Sequence, residues 1–252
     1  MTGDDHVLAR DLAGQAGQRL LELRAQGGDP DVLRKAGDRL SHEFLTAALA
    51  GQRPGDVVLS EEGADNPARL GARRVWIVDP LDGTREFGEP GRSDWAVHVA
   101  LWEDGDLTAG AVALPAQGTV LSTAQPPPPL PEDVASTPRL RIVVSRSRPP
   151  GFVRDISGLI NAELVPLGSA GAKVAAVICG EVDAYVHGGG FYEWDTAAPV
   201  AVARAAGLHA SRIDGSALAY NQPDLLMPDI LVCRPAVAGI LLRAIREVTH
   251  AS

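Results

Sequence analysis

The stretch Val75-Trp76-Ile77-Val78-Asp79-Pro80-Leu81-Asp82-Gly83-Thr84-Arg85-Glu86-Phe87 decides how this chain folds and what it can bind. Its apolar, β-branched and aromatic start indicates a buried strand. We expect Pro80 to end that strand, because proline has no N–H for the ladder. Two carboxylates, Asp79 and Asp82, then leave one tight corner and offer the oxygen ligands that a hard divalent cation prefers. Free amides after Gly83 can accept an anion. The pattern predicts a metal clamp beside a phosphate cradle.

An ordinary turn is the alternative interpretation of this corner. Asp-Pro and Asp-Gly pairs commonly form turns that need no ligand, and Asp79-Pro80 taken alone would favour that outcome. A second acidic pair, Glu61-Glu62, follows another strand-like run at residues 57–60. Turn chemistry does not explain two spaced acids after a buried strand together with this upstream pair. The metal clamp is therefore the better interpretation.

The composition is that of a globular protein that does not bind nucleic acid. The chain has 252 residues, of which 45% are hydrophobic and 22% are charged, so it can bury a large core. Its 23 basic and 32 acidic residues give a net charge of −9. Nucleic-acid polymers need a basic surface and are therefore not expected as partners. A small phosphate ester remains compatible, because bound metal ions reverse the local field.

The sequence also predicts a cellular location. It contains no apolar run of the roughly 18 residues that would span a membrane, and residues 1–5 are acidic rather than the start of a signal peptide. Cys179 and Cys233 have no metal-ligand spacing, and we expect both to be buried thiols. These features predict a cytoplasmic protein without membrane contact.

Periodicity outlines the first half of the chain. Apolar residues recur at helical spacing over residues 5–25, and residues 27–30 interrupt them. A second helix is expected to carry the apolar residues of 40–49, with Asp38 at or near its beginning, where an Asp usually serves as a cap. The alternating runs at 95–102, 107–114 and 119–123 indicate antiparallel strands joined by short turns.

A proline-rich stretch separates this half from the next. Gln125-Pro126-Pro127-Pro128-Pro129-Leu130-Pro131 suits a stiff linker or exposed loop, and less commonly such runs are ligands for proline-binding modules. Beyond it, strands and helices alternate, which indicates an α/β layer. We therefore predict an N-terminal α+β half with the metal clamp at 1–124, a linker at 125–138, and a C-terminal α/β half at 139–252 that completes the metal and substrate site.

Two stretches resemble signatures of the inositol monophosphatase-like family of Mg²⁺-dependent, lithium-sensitive phosphatases. They are residues 76–84 and Glu193-Trp194-Asp195-Thr196-Ala197-Ala198, and the resemblance extends over residues 38–233. It implies a layered α/β (α+β) fold, the sugar-phosphatase αβαβα sandwich, with a mostly antiparallel first sheet and a smaller second half. Arg85-Glu86-Phe87 resembles the CysQ branch, the 3′(2′),5′-bisphosphate nucleotidases, whereas inositol monophosphatases proper usually have Thr-Asn-Phe there.

The resemblance implies a set of metal ligands. Glu61, Asp79 and the carbonyl of Leu81 would hold one Mg²⁺. Asp79, Asp82 and Asp195 would hold a second, and we expect a third, looser ion near Glu61. Paired ions of this kind can serve the attacking and leaving oxygens of phosphate-ester hydrolysis. Taken alone, Asp195 would more simply be a helix N-cap, but the first signature favours the ligand.

The resemblance also implies catalytic and substrate-binding residues. Thr84, hydrogen-bonded to Asp38, would orient a water for in-line attack. The turn at 168–170 would face the alcohol portion of the substrate, although alone it could be a capping turn. Lys173, by default a surface lysine, could reach a second phosphate, and Tyr192 could stack on a purine or simply pack. The complete candidate set for substrate binding is Glu61, Asp82, Gly83, Thr84, Arg85, Ser145, Arg146, Gly168, Ser169, Lys173, Tyr192 and Asp195.

Several functions fit this pattern. The resemblance to the CysQ branch implies a Mg²⁺-dependent phosphomonoesterase of sulfur assimilation that converts 3′-phosphoadenosine 5′-phosphate to AMP and phosphate, with 3′-phosphoadenylyl sulfate as a related substrate. His187 aligns where the inositol enzymes carry a Glu that grips inositol hydroxyls, which weakens inositol specificity. A phosphatase for inositol 1-phosphate or fructose 1,6-bisphosphate remains open, because the clamp touches only the common phosphate. A non-catalytic, nucleotide-sensing regulator is the alternative from another class. We also expect a homodimer, the commonest symmetric assembly, and inhibition by lithium.

Overall fold

The computed structural model describes residues 4–131, 139–147 and 149–250. Seven α-helices and twelve strands occur in the part of the chain that it describes. The helices are α1 Asp5–Ala25, α2 Pro30–Gln52, α3 Thr84–Gly88, α4 Gly151–Leu159, α5 Ala170–Ile178, α6 Glu193–Ala205 and α7 Pro235–His250. The strands are β1 Val57–Ser60, β2 Arg74–Asp82, β3 Ala96–Glu103, β4 Asp106–Leu114, β5 Thr119–Ser122, β6 Arg141–Ser145, β7 Glu163–Leu167, β8 Ala184–His187, β9 Phe191–Tyr192, β10 His209–Ser211, β11 Leu226–Met227 and β12 Ile230–Cys233.

The strands form two main sheets. The first has the order β1-β2-β3-β4-β5, in which only the β1–β2 pair is parallel among the described residues. The second has the order β10-β12-β8-β6-β7, with β6 parallel to both β7 and β8 and the other pairs antiparallel. Strands β9 and β11 form a small antiparallel pair. The mostly antiparallel first sheet is confirmed, and the second sheet is smaller because its strands are shorter.

Three apolar cores hold the layers together. Trp76 and Val97 on one face of the first sheet pack with apolar residues of α1 and α2, such as Leu12. The opposite face packs on α5 and α6, which separate it from the second sheet. The far face of the second sheet packs on α4 and α7. This arrangement confirms the predicted αβαβα sandwich, because each sheet buries both of its faces against helices.

Helix α2 begins earlier than expected. The Asp29 side chain accepts hydrogen bonds from the amides of Asp31 (2.9 Å) and Val32 (3.1 Å), and Pro30 takes the first helical position, an arrangement that starts helices. The prediction that Asp38 lies near the helix beginning was wrong, because Asp38 lies in the third turn. The first two turns are largely exposed, so apolar periodicity could not reveal them.

Strand β2 was expected to end at Pro80, but it continues to Asp82. Asp79 is opposite His98 on β3 and Asp82 is opposite Ala96, so the pairing register shifts between these two residues. Side chains alternate along a strand, so residues three apart normally face opposite sides. The shift inserts one residue as a β-bulge. Asp79 and Asp82 therefore project from the same face of the first sheet.

The remaining elements follow the predictions with a few differences. Cys233 is buried as expected, but Cys179 is exposed, because it follows the last turn of α5; both thiols are free. The short strands β9, β10 and β11 were not predicted. The proline-rich residues 125–131 contain no helix, residues 132–138 lie outside the described residues, and the division into two halves stays a prediction. None of the helices in the described ranges has the length and apolarity needed to cross a bilayer.

Candidate active site

A cleft of about 670 Å³ opens between the end of β2, the N-terminus of α5 and the glycine-rich loop after β8. It collects residues from both main sheets. Its lining includes nine of the predicted substrate-binding residues: Asp82, Gly83, Thr84, Arg85, Ser145, Gly168, Ser169, Lys173 and Asp195. Residues that lie far apart in the sequence thus meet at one surface depression, as expected of a small-molecule site.

A cluster of carboxylates lies at the floor of this cleft. Oxygens of Asp79, Asp82 and Asp195 all lie within 4.8 Å of one another. Asp195 is the third residue of α6, and its side chain accepts a hydrogen bond from the amide of Tyr192 (2.6 Å). The alternative of Asp195 as the N-cap was wrong, because Tyr192 occupies that position. Glu61, directly after β1, shares a hydrogen bond with Asp79.

The electrostatics of this cluster favour a bound cation. Burial, followed by repulsion from Glu61 and Asp82, raises the pKa of Asp79 well above its usual range. Glu61 is exposed as a residue, yet desolvation of its carboxylate and repulsion from Asp195 raise its pKa to about 7. Burial and repulsion from Asp82 raise the pKa of Asp195 to about 6. Carboxylates crowded in this way are relieved by a metal ion, so these residues fit the donor set that a hard cation requires.

Asp82 is ionised despite its burial. Burial opposes its charge, but the nearby His98 ring, whose Nε2 lies 3.3 Å from Asp82 Oδ2, and the positive charge of Lys173 lower the pKa of Asp82 to about 2. The N-terminus of α5 also points at this carboxylate. The amides of Ala170 (3.1 Å) and Gly171 (2.6 Å) and the hydroxyl of Ser169 all donate to it, an arrangement typical of anions at helix N-termini.

Lys173 holds the turn in front of α5. Its Nζ donates to the carbonyl of Ser169 (2.7 Å) and lies 3.4 Å from that of Gly168. Ser169 has φ of +48°, a conformation that is costly for a residue with a side chain, so this contact helps to stabilise it. The default expectation of a surface lysine was wrong. Lys173 is buried, and burial lowers its pKa.

Thr84 and Asp38 meet beside the cluster. The Thr84 hydroxyl lies 3.3 Å from Asp38 Oδ1 and 3.0 Å from the carbonyl oxygen of Leu81. Gly37 allows this approach, since a Cβ there would lie 2.8 Å from Phe87 and 2.9 Å from Leu81. Burial, with repulsion from Glu62, raises the pKa of Asp38 to about 6. The pair can therefore accept and relay a proton near neutral pH.

Three predicted substrate residues, Glu61, Arg146 and Tyr192, do not line the cleft. Arg146 donates to Glu86 (2.7 Å) and Glu89 (2.6 Å), so two carboxylates already hold its guanidinium. Tyr192 is 43% exposed and stacks on Trp194, with ring centroids 4.8 Å apart. Their substrate roles remain predictions without a contact in their favour.

Sequence reasoning also missed several residues of the site. Asp94 accepts a hydrogen bond from the amide of Gly168 (2.6 Å) and so fixes the substrate-facing turn. His98 lies beneath Asp82, and Phe152 forms part of the cleft wall. The periodic pattern of strands and helices does not indicate that Asp94 or Phe152 lies at the site. For His98 there was one signal, because the alternation along β3 puts it on the same face of the sheet as Ala96 and Ala100.

The fold and the site together define a metal-dependent phosphatase. The inositol monophosphatase family matches residues 9–250, and this chain belongs to that family. A 3′-phosphoadenosine 5′-phosphate phosphatase of Mycobacterium leprae is 51% identical over 97% of this chain and 94% of its own length. The 3′(2′),5′-bisphosphate nucleotidase CysQ of Escherichia coli is 31% identical over 83% of this chain and 91% of its own length. The crystal structure of CysQ from Bacteroides thetaiotaomicron matches with a TM-score of 0.79 and 28% identity, covering 91% of this chain and 97% of that one.

Proposed function

We propose that this protein is a Mg²⁺-dependent phosphatase that removes the 3′-phosphate from 3′-phosphoadenosine 5′-phosphate and releases AMP and inorganic phosphate. The observation that carries the proposal is the 51% identity, over nearly the whole chain, to a phosphatase named for that substrate. The chemistry of the cleft is consistent with it. 3′-Phosphoadenylyl sulfate, which carries the same 3′-phosphate and a sulfate on its 5′-phosphate, is a related substrate.

The carboxylate end of the cleft suits the scissile phosphate. The metal ligands would be Glu61, Asp79, the carbonyl of Leu81, Asp82 and Asp195, all oxygen donors of the kind Mg²⁺ prefers. Two to three bound ions would supply charge neutralisation of the phosphoryl group and activation of a water. The amides of Gly83 and Thr84, which line the cleft, would hold phosphate oxygens.

Asp38 and Thr84 provide the base for this reaction. At pH 7 Asp38 is mostly ionised, because its pKa is about 6. The Thr84 hydroxyl donates to Asp38 and uses its oxygen lone pairs to orient the attacking water. The water oxygen bonds to phosphorus and the bond from phosphorus to the 3′-oxygen breaks. Thr84 takes the proton of the attacking water while it passes its own proton to Asp38, and the released 3′-alkoxide takes up a proton from solvent water to become the 3′-hydroxyl of AMP.

A positive side chain on the cleft lining suits a second phosphate. Arg85 is exposed there, whereas Lys173 is buried and donates to the carbonyl of Ser169 beside Asp82. An ester with a single phosphate has no group for Arg85, whereas the 5′-phosphate of a nucleoside bisphosphate can be neutralised by it. Arg85 is the preferred anion partner, because Arg146 is already paired with Glu86 and Glu89.

An aromatic wall of the cleft suits the purine. Phe152, Tyr185, His187 and Phe191 all line it. A Cβ on Gly188 would lie 2.8 Å from the Phe152 ring, so glycine lets the loop backbone pack closely against this ring. Burial and the charge of Lys173 lower the pKa of His187 to about 4, so its ring is neutral at pH 7 and available for stacking. A neutral aromatic wall favours a base over an inositol ring.

Inositol 1-phosphate and fructose 1,6-bisphosphate are the alternative substrates, because the metal ligands would bind the phosphate group that all these esters share. The non-catalytic regulator has no support, since the relatives are named as phosphatases. ³¹P NMR of the products tests the proposal directly. With Mg²⁺, adenosine 3′,5′-bisphosphate should yield 5′-AMP. Accumulation of 3′-AMP, or no hydrolysis, would contradict the proposed orientation.

We also propose that the enzyme acts as a homodimer in the cytoplasm. The free thiols of Cys179 and Cys233 support a reducing compartment, and two-fold dimers are the commonest assembly. Light scattering coupled to gel filtration tests the assembly: a dimer mass is expected, and a monomer mass at micromolar concentration would contradict it.

A further inference from the structure

His98 occupies a central position beneath the carboxylate cluster. It lies on β3, its side chain is fully buried, and it is directly opposite Asp79 in the ladder between β2 and β3. Residues opposite each other in an antiparallel pair project to the same face. The imidazole therefore rises on the face from which Asp79 and Asp82 also project.

One imidazole ring reaches the segments that carry all three carboxylates. Its Nδ1 lies 3.1 Å from the carbonyl oxygen of Trp194, the residue that precedes Asp195. The same nitrogen is 4.0 Å from Asp79 Oδ2, and Nε2 is 3.3 Å from Asp82 Oδ2. A carbonyl oxygen can only accept, so Nδ1 carries a hydrogen and donates to Trp194.

The other ring nitrogen faces Asp82. Nε2 is buried, and among the described residues no protein atom meets it in regular hydrogen-bond geometry. Its nearest charged neighbour is the Asp82 carboxylate. A buried polar atom without a regular partner is costly unless it serves a neighbouring site, and the neighbouring site here is the carboxylate cluster.

The packing around the ring leaves it little freedom. A Cβ on Gly171 would lie 2.1 Å from Nε2 and 3.1 Å from the Cβ of Ala96. The first turn of α5, whose amides donate to Asp82, thus packs directly on His98. The ring packs between β2, α5 and α6. Strand β2 carries Asp79 and Asp82, helix α6 carries Asp195, and the first turn of α5 donates hydrogen bonds to Asp82.

We propose that His98 is a positioning residue that sets the distance between Asp82, Asp79 and the start of α6 before a cation binds. It does not contact the substrate. Its hydrogen bond to Trp194 fixes the beginning of α6, and its Nε2, 3.3 Å from Asp82 Oδ2, limits the position of the carboxylate that the first turn of α5 also holds. Groups that orient metal ligands in this way affect metal affinity more than the chemical step. The inference rests on these carboxylates binding metal, but not on which phosphate ester is cleaved.

Two substitutions separate the two contacts of the ring. The side-chain amide of H98N can replace the Nδ1 donor to Trp194, but it loses the contact with Asp82. H98Q can place an amide nitrogen near the position of Nε2. Metal binding is measured on metal-free protein without substrate, by Mn²⁺ titration followed by electron paramagnetic resonance. We expect H98N to weaken Mn²⁺ binding about 10- to 100-fold, and H98Q to recover at least part of that loss.

Kinetics provide the second readout. The Mg²⁺ concentration for half-maximal phosphate release should rise in H98N, while kcat at saturating Mg²⁺ should fall much less. His209→Asn is the matched control, because His209 is a partly buried histidine on β10 that contacts Ser211. Unchanged Mn²⁺ affinity in H98N, together with a lower melting temperature in EDTA, would mean that His98 is merely structural and would overturn the proposal.

The unmodified protein gives a test that does not depend on variant folding. The ring nitrogens of His98 can be followed by ¹⁵N NMR during a Mg²⁺ titration. We expect the Nε2 signal to shift with the same half-saturation as metal binding. A His98 signal that stays constant while Mg²⁺ saturates the site would contradict the proposal, whichever ester the enzyme hydrolyses.

Discussion

The hydroxyl of Thr84 lies 3.3 Å from the carboxylate of Asp38, although 46 residues separate them in the sequence. The contact joins the third turn of α2 to the first residue of α3. It depends on Gly37, where any side chain would strike Phe87 and Leu81. A carboxylate with a pKa of about 6 beside a hydroxyl forms the proton-accepting part of the proposed mechanism.

Removing either member of this pair should slow the chemical step. We expect Thr84→Val and Asp38→Asn each to lower kcat about 10²- to 10⁴-fold, the range typical of a lost general base. The double variant should lose little more than either single one, because the two groups act as a unit. Steady-state phosphate release measures this, with Thr84→Ser as the control that keeps the hydroxyl. If the two losses were fully additive, the proposed relay would be wrong.

Replacing one crowded acid should stabilise the metal-free protein while it destroys activity. Asp79→Asn removes a buried carboxyl whose neighbours Glu61, Asp82 and Asp195 repel its charge. At pH 8 in EDTA we expect a higher melting temperature. For a chain of this size, each kcal/mol added to the free energy of unfolding raises the melting temperature by roughly 2–4 °C. Differential scanning calorimetry checks this, with the exposed Asp155→Asn as the matched control. A lower melting temperature than wild type would contradict the crowding described here.

The pH dependence of stability follows from the same residues. Glu61, Asp195 and Asp38 have folded-state pKa values raised to about 7, 6 and 6. The folded state therefore binds more protons than the unfolded chain between about pH 4 and 7. The stability that these extra protons give the folded state is fully present below the pKa values of the carboxyl groups in the unfolded chain. It is lost as pH rises through their pKa values in the folded state. Asp82, with a pKa lowered to about 2, opposes this trend only below about pH 5. His187, with a pKa lowered to about 4, opposes it up to about pH 6.5, but the several raised carboxyl groups outweigh this single group.

We accordingly expect the metal-free protein to lose stability from pH 5 to pH 8. Excess Mg²⁺ should flatten this dependence, because the ion binds the deprotonated carboxylates. Urea unfolding at several pH values, with EDTA or with Mg²⁺, measures both effects. A metal-free protein that becomes more stable over this range would refute the raised pKa values.

Two aromatic residues should differ in their effect on nucleotide binding. Phe152 lines the cleft, whereas Tyr192 stacks on Trp194 outside it. Phe152→Ala should raise KM for the adenosine bisphosphate about tenfold, since stacking of a base on an aromatic ring contributes about 1–3 kcal/mol. Tyr192→Ala should change KM less than about twofold. If Tyr192→Ala raised KM more than Phe152→Ala did, Tyr192 rather than Phe152 would be the residue that stacks on the purine.

Local signals in the sequence predicted much of this molecule. The apolar periodicity of α1, the alternation in β3 and β4, and the strand before Asp79 each depend on neighbouring residues, and all four elements formed, although the strand before Asp79 continues past Pro80. The convergence of Asp79, Asp82 and Asp195 was predicted only through the family resemblance. No local pattern brings the end of a strand next to a helix more than a hundred residues away.

The errors share a physical cause, because they depend on tertiary packing. The bulge at Pro80 is visible only in the pairing of β2 with β3. Lys173 is buried, and its Nζ donates to the carbonyl of Ser169 in the turn before α5, a contact that no local pattern in the sequence reveals. The beginning of α2 was missed because its first turns face solvent and carry no apolar pattern.

The ratio of kcat/KM for adenosine 3′,5′-bisphosphate to that for inositol 1-phosphate, measured with purified enzyme at saturating Mg²⁺, tests the central claim most directly. The aromatic wall and the exposed Arg85 should favour the nucleotide by at least about 100-fold, which corresponds to about 2.7 kcal/mol of transition-state stabilisation. An equal or greater kcat/KM for inositol 1-phosphate would contradict the proposed function.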